Sequence, residues 1–215
     1  MTVLNILPPA DLLVPFLIAG LALNLTPGSD MTFVALSGSR GGRRAGLAAA
    51  AGITLGCFAH ILFAVIGLSA LIAASQTAFV VVKWLGVAYL GYLAVQLVRE
   101  KAPPRTGRER PAFAPRRAFR QGAVVNILNP KVGIFFLAFL PQFVEPGLVA
   151  PWQQILALGL LFNLNGLLVN SMVGVLSAAA ARRVGMNRTF ARWSRWIAAS
   201  VLAALAARLA ISRQS

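Results

Sequence analysis

Residues 24–33 read NLTPGSDMTF and set a Pro-Gly pair, hydroxyl side chains and the acid Asp30 inside a run that is otherwise apolar from residue 12 to residue 36. What a helix-breaker and a formal charge do in so hydrophobic a place depends first on what surrounds them. The chain has 215 residues, 58% of them hydrophobic and 12% charged, against about 45–50% and about 25% in a soluble domain. One soluble core cannot hide that excess. The apolar residues come in blocks of about 20, the length that crosses about 30 Å of hydrocarbon at the helical rise. The stretch is therefore read as a break in a membrane-crossing helix, and the chain as an all-α polytopic membrane protein.

Apolar blocks, charges and turn residues predict six spans, at residues 11–37, 45–70, 76–98, 121–143, 152–178 and 195–211. The sixth is short and Ala-rich, so it crosses only if Trp193, Trp196 and Arg208 serve as interfacial ends; an interfacial hairpin is the alternative. The net charge of +15 sorts by position. Arg40, Arg43 and Arg44 follow the first span, residues 99–120 hold eight basic side chains and residues 182–195 hold five, whereas residues 73–77 and 144–151 hold none. By the positive-inside rule the basic segments are cytoplasmic and both termini lie outside. The charge is thus topology, and no nucleic-acid partner follows from it. Lys83 and Arg208, nearer span ends, are expected to snorkel to the outer headgroups. The N-terminus lacks the basic start of a secretory signal and runs into a full span, which predicts no cleavage. Cys57 is the single cysteine, so neither a disulfide framework nor a cysteine metal site is expected, and no cofactor is implied.

The linker KAPPRTGRERPAFAPRR, residues 101–117, is read as a cytoplasmic loop that touches anionic lipid headgroups. It divides the chain into a first three-helix half (1–98), the basic linker (99–120) and a second three-helix half (121–215). Three spans per half thread the second half in the opposite direction, and inverted halves are a transporter architecture. A homo-oligomer is left open. An offset of 103 places Pro27 on Pro130, Phe33 on Phe136, Ala35 on Ala138, Gly56 on Gly159 and His60 on Asn163.

Pro27 and Pro130 each lie near the middle of a span. A proline removes a backbone donor and frees a carbonyl, so each helix should kink or unwind there, helped in the first by Gly28. Freed backbone groups are tolerated at membrane depth only where they are buried in protein or line a wet cavity. Each break also carries a charge, Asp30 or Lys131, and a charge at a helix centre costs roughly 2.5–3.5 kcal/mol on insertion scales. One reading is a mutual ion pair that ties the breaks together. The other is a path for a small zwitterionic substrate, with Asp30 for an ammonium and Lys131 plus helix N-terminal amides for a carboxylate. Asn24, Thr26, Asn126 and Asn129 would add neutral hydrogen bonds.

Two further spans carry stripes at helical spacing: Gly52, Gly56, His60, Phe63 and Gly67 on the second, and Gly159, Asn163, Gly166, Asn170, Gly174 and Ser177 on the fifth. The glycines are read as close packing and the asparagines as interhelical bonds or substrate contacts. His60, the only histidine, is a candidate proton relay alongside Asp30.

LNLTPGSD, followed by RGGRRAGLAAAAGITLGCFAH, IGLSALIA, KWLGVAYLGYLAVQLVR and FRQGAVVNILNPKVGIFFLAFLPQFV, closely resembles the LysE/RhtB family of amino-acid exporters. The resemblance covers about residues 20–145 in order. It implies a bacterial inner-membrane carrier that expels amino acids or their derivatives by using the proton gradient, and not an enzyme. It carries Pro27, Gly28 and Asp30 over from the first-span motif and Asn129, Pro130 and Lys131 from the fourth. The family usually has a second proline after the glycine, where this chain has Ser29. Two rival readings are an exporter of metal or organic cations, and a membrane-embedded hydrolase with Ser29 as nucleophile and His60 as base.

Overall fold

The structure, a computed structural model, describes residues 6–74, 113–145 and 147–182, together with positions 81, 84, 88, 92, 95, 200, 203 and 207. The elements among the described residues are all helical. Most of the expected third and sixth spans, Lys83, Arg208 and most of the linker lie outside them. Two helices, Ser29–Gly67 and Pro151–Ala181, are long and apolar enough to cross a membrane, and a bent pair, Pro115–Ile127 with Pro130–Phe143, makes a third span if counted as one.

Helix α1 runs over Ala10–Leu25. It stops where the residue before a proline is forced out of helical geometry, with Thr26 extended at φ −67° and ψ 120°. Helix α2, Ser29–Ala74, starts again beyond Pro27 and Gly28. It is two segments joined at Gly42, whose φ of 72° and ψ of −173° no side-chain-bearing residue adopts easily. Gly38 and Gly46 both close on the backbone of Gly174. A straight helix would carry them about 12 Å apart, so the chain turns at Gly42, where the first two expected spans were to be joined.

Helix α3, Pro115–Ile127, opens with proline at its first position and begins before the expected boundary at residue 121. It ends at Leu128 and Asn129, and Pro130 opens the short α4, Pro130–Ile134. A π turn over Phe135–Phe139 and a 3-10 turn over Leu140–Phe143 continue it, and the axis bends by 46° across the break. Gln154 then fixes the loop into helix α5, Pro151–Arg182. Its buried side chain accepts from Glu145 N and donates to Glu145 O, both at 2.8 Å, and to Val149 O at 3.3 Å.

The packing is crosswise. Helix α3 lies along the second segment of α2, where a Cβ added at Gly52 would come within 2.0 Å of Phe119 O and one at Gly56 within 2.5 Å of Ala123 O. Helix α1 instead lies on α5, with Gly20 against the Phe162 ring. With Gly159 against Ile61 and Phe136, Gly166 against the Asn24 side chain and Gly174 against the Gly46 backbone, these contacts bear out the close-packing reading of Gly52, Gly56, Gly159, Gly166 and Gly174. The α2 stripe does not continue as expected: Phe63 is 71% exposed and Gly67 meets nothing within 4 Å among the described residues.

Two apolar clusters flank the breaks. One is aromatic, formed by Phe16, Phe135, Phe136, Phe139, Phe143 and Phe162 with Leu140, Ile155 and Leu158. Its rings stack or meet edge to face, with Phe135 4.7 Å and Phe136 5.2 Å from Phe162, and Phe16 5.3 Å from Phe143. The other is built of small side chains, Val34, Ala45, Ala49, Ile53 and Ala118, with Phe33 and Phe113 packed on it. Along both broken helices, the break falls between the two clusters.

Candidate functional site

The two breaks meet. Asp30 sits in the first turn of α2, where the positive end of the helix dipole favours an anion. It is only 8% exposed. Its Oδ2 accepts from Asn126 Nδ2 at 2.8 Å, and its Oδ1 has a long contact with Ser29 Oγ at 3.5 Å. Both partners are uncharged.

Lys131 does not pair with Asp30 among the described residues. Its ammonium donates to Leu23 O and Thr26 O, each at 3.1 Å, at the end of α1 where freed carbonyls gather negative potential. The reading of a glue-like Asp30–Lys131 ion pair is therefore not realised. Gly28 lies beneath the Lys131 ammonium, which would stand 3.2 Å from an added Cβ.

Asn126 and Asn129 are buried at the second break. Asn129 Oδ1 caps α4 by accepting from Lys131 N at 3.0 Å. Among the described residues, Asn126 Oδ1 and Asn129 Nδ2 are buried without a hydrogen-bond partner. They are one acceptor and one donor, and each unmet group costs about 1–3 kcal/mol. Thr26 is satisfied locally, donating from Oγ1 to Ala22 O at 2.7 Å.

His60 Nε2 lies 2.8 Å from Asn126 O. A carbonyl only accepts, so the ring proton sits on Nε2. The imidazole also stacks on Phe136, with centroids 6.3 Å apart. The remaining candidates stand apart from this network. Asn24 Nδ2 has only long contacts, at 3.5 Å, with Phe162 O and Asn165 Oδ1. Asn163 donates to Thr54 O at 3.2 Å, and Asn170 is buried without a hydrogen bond among the described residues. Asn165 was not singled out by the sequence, although it shares the motif FNLNG with Asn163.

The geometry bears on the rivals. No hydrogen bond joins Ser29 to His60: the hydroxyl contacts Asp30 and the imidazole holds a carbonyl. Among the described residues no group of three or more His, Cys, Asp or Glu side chains could hold a metal ion. What the site offers is one carboxylate, two buried amide atoms without a partner among the described residues and two broken helices between apolar clusters.

Comparison with known proteins places the chain among membrane proteins. The family model described as LysE type translocator matches residues 21–213. An uncharacterised membrane protein of Vibrio cholerae is 34% identical over 145 residues, 67% of this chain and 70% of its own length. A homoserine/homoserine lactone efflux protein of Salmonella typhimurium is 30% identical over 79% of this chain and 80% of its own. A leucine efflux protein of Klebsiella pneumoniae is 26% identical over 91% and 92%. No solved structure matches the chain significantly.

Proposed function

The chain belongs to the LysE type translocator family, and from that premise we propose that it is a secondary transporter exporting amino acids or their derivatives across the bacterial inner membrane. The observation that carries this reading is the buried Asp30 carboxylate, held by uncharged partners at the first break, together with Asn126 Oδ1 and Asn129 Nδ2, buried and unpartnered among the described residues at the second. A zwitterion complements that set. Its ammonium donates to Asp30 and Asn126 Oδ1, and its carboxylate accepts from Asn129 Nδ2. Relatives named for homoserine and leucine efflux support a small amino-acid substrate.

The architecture we propose is six crossings in two inverted halves, 1–98 and 121–215, joined by a cytoplasmic linker at 99–120 that contacts lipid headgroups, with both termini outside. The crosswise packing supports it. Under the 103 offset, Gly20 against Phe162 has its counterpart in Ala123 against Gly56, to within one helical turn. Alternating access then consists of rocking the halves about the Pro27 and Pro130 breaks, with a proton as the coupling ion and Asp30 as its acceptor in the exchange. Cells overexpressing the protein should tolerate, and excrete, particular amino acids that inhibit the parent strain. If no amino acid in a toxicity panel is tolerated or excreted better than in cells without the protein, the assignment is wrong.

A further inference from the structure

Each proline removes the N–H that would close the helical bond to the carbonyl four residues earlier. For Pro27 that carbonyl belongs to Leu23, and for Pro130 to Asn126. Each is partly recovered in the same local way, Leu23 O by Thr26 N at 3.2 Å and Asn126 O by Asn129 N at 2.9 Å. Each also takes a second donor from far along the chain. Lys131 Nζ reaches Leu23 O at 3.1 Å, 108 positions away, and His60 Nε2 reaches Asn126 O at 2.8 Å, 66 positions away.

The offset that superimposes the prolines also superimposes Leu23 on Asn126 and Thr26 on Asn129, so the same carbonyl is freed and bridged twice. The long-range donors do not correspond. Gly28 stands at the place of Lys131, and Asn163, at the place of His60, spends its amide on Thr54 O at 3.2 Å. One break is held by an ammonium and the other by an imidazole.

We propose that Lys131 and His60 are positioning residues, two latches that join the halves at the carbonyls freed by Pro27 and Pro130, and that neither side chain is a ligand of the transported molecule. A freed carbonyl in an apolar surrounding needs a donor, and the proline denies it the one its own helix would supply. Each latch therefore binds one half to the other at the point about which the halves rock. Opening and closing of the latches sets the rate of transport, which is where this inference rests on the exporter reading.

The test exploits the prolines. Pro130→Ala restores an N–H that can bond Asn126 O within the helix, and Pro27→Ala does the same for Leu23 O. With the full chain purified in detergent, His60→Ala and Lys131→Met should each lower the unfolding midpoint by about 2–4 °C. His60→Ala should cost little more once Pro130→Ala is present, and Lys131→Met little more with Pro27→Ala, whereas the crossed pairs should add. Additive matched pairs would overturn the assignment. Should a proline variant not fold, His60→Gln must keep the midpoint that His60→Phe loses; equal loss in both is the contrary result.

Transport separates a latch from a ligand. In proteoliposomes, with L-leucine and L-homoserine as probes, Lys131→Met and His60→Ala should change Vmax and leave KM within about twofold. A KM raised about tenfold at unchanged Vmax would mark a ligand and refute the proposal. Coupled midpoints without flux of either probe would uphold the latches and count against the exporter reading.

Discussion

Asn126 donates its side-chain N–H to the Asp30 carboxylate at 2.8 Å across 96 positions of sequence. The bond ties the end of α3 to the first turn of α2, so it joins the two broken helices through the only acid at either break. Structural and chemical roles of Asp30 can be separated there. Asp30→Asn keeps a hydrogen-bonding oxygen for Asn126 and should leave the protein folded, while export falls by roughly tenfold or more, the equivalent of about 1.4 kcal/mol. Export by Asp30→Asn equal to that of the parent would remove Asp30 from the site.

Asn126→Ala acts on stability instead. It strips the carboxylate of its close donor in a buried setting and should destabilise the fold by about 1–3 kcal/mol, measured by unfolding in detergent. An unchanged midpoint would mean that the Asp30–Asn126 bond contributes nothing net.

Two glycines of the same stripe should respond oppositely to alanine. At Gly52 the new methyl would meet Phe119 O, and overpacking of this kind costs about 1–3 kcal/mol. At Gly67 nothing lies within 4 Å among the described residues, so Gly67→Ala should be neutral or stabilise by up to about 1 kcal/mol through helix propensity. Side-by-side thermal unfolding of the two variants checks the pair, and similar losses at both sites would contradict the packing.

Ser29→Ala should fold and still export, because the hydroxyl makes only a long contact with Asp30 and none with His60. Complete loss of activity in a folded Ser29→Ala protein would favour the hydrolase instead.

A reporter fused to the C-terminus should report the outer side of the membrane if six spans cross. With the N-terminus outside, a cytoplasmic signal would mean an odd number of crossings and would undo the inverted halves.

The breaks were legible in the sequence because a proline acts through its own covalent structure, and Thr26 and Asn129 leave helical geometry where the following prolines require it. The turn at Gly42 falls in the basic connection expected between residues 37 and 45, although the glycine itself was not singled out. Partner choice was not legible. Opposite charges at the two breaks suggested an ion pair, yet Lys131 found two carbonyls, and the need of one of them, Leu23 O, for a donor was itself written in the position of Pro27. His60 was singled out as a lone intramembrane imidazole, but no spacing rule connects it to Asn126 O. Periodicity placed Gly52, Gly56 and His60 on one face; it could not say how far α3 runs along that face, and so misjudged Phe63 and Gly67.

The π turn at Phe135–Phe139 gives the second half a different angular phase from the first, whose corresponding residues 32–36 are α-helical. Matching the halves residue by residue beyond this point therefore preserves spacing but not direction. Each residue accommodated or expelled there turns everything downstream by about 100°. Phe139, the last residue of the turn, and Phe143 beyond it would swing out of their aromatic neighbours through a change in helical count alone, with no hinge and no loop.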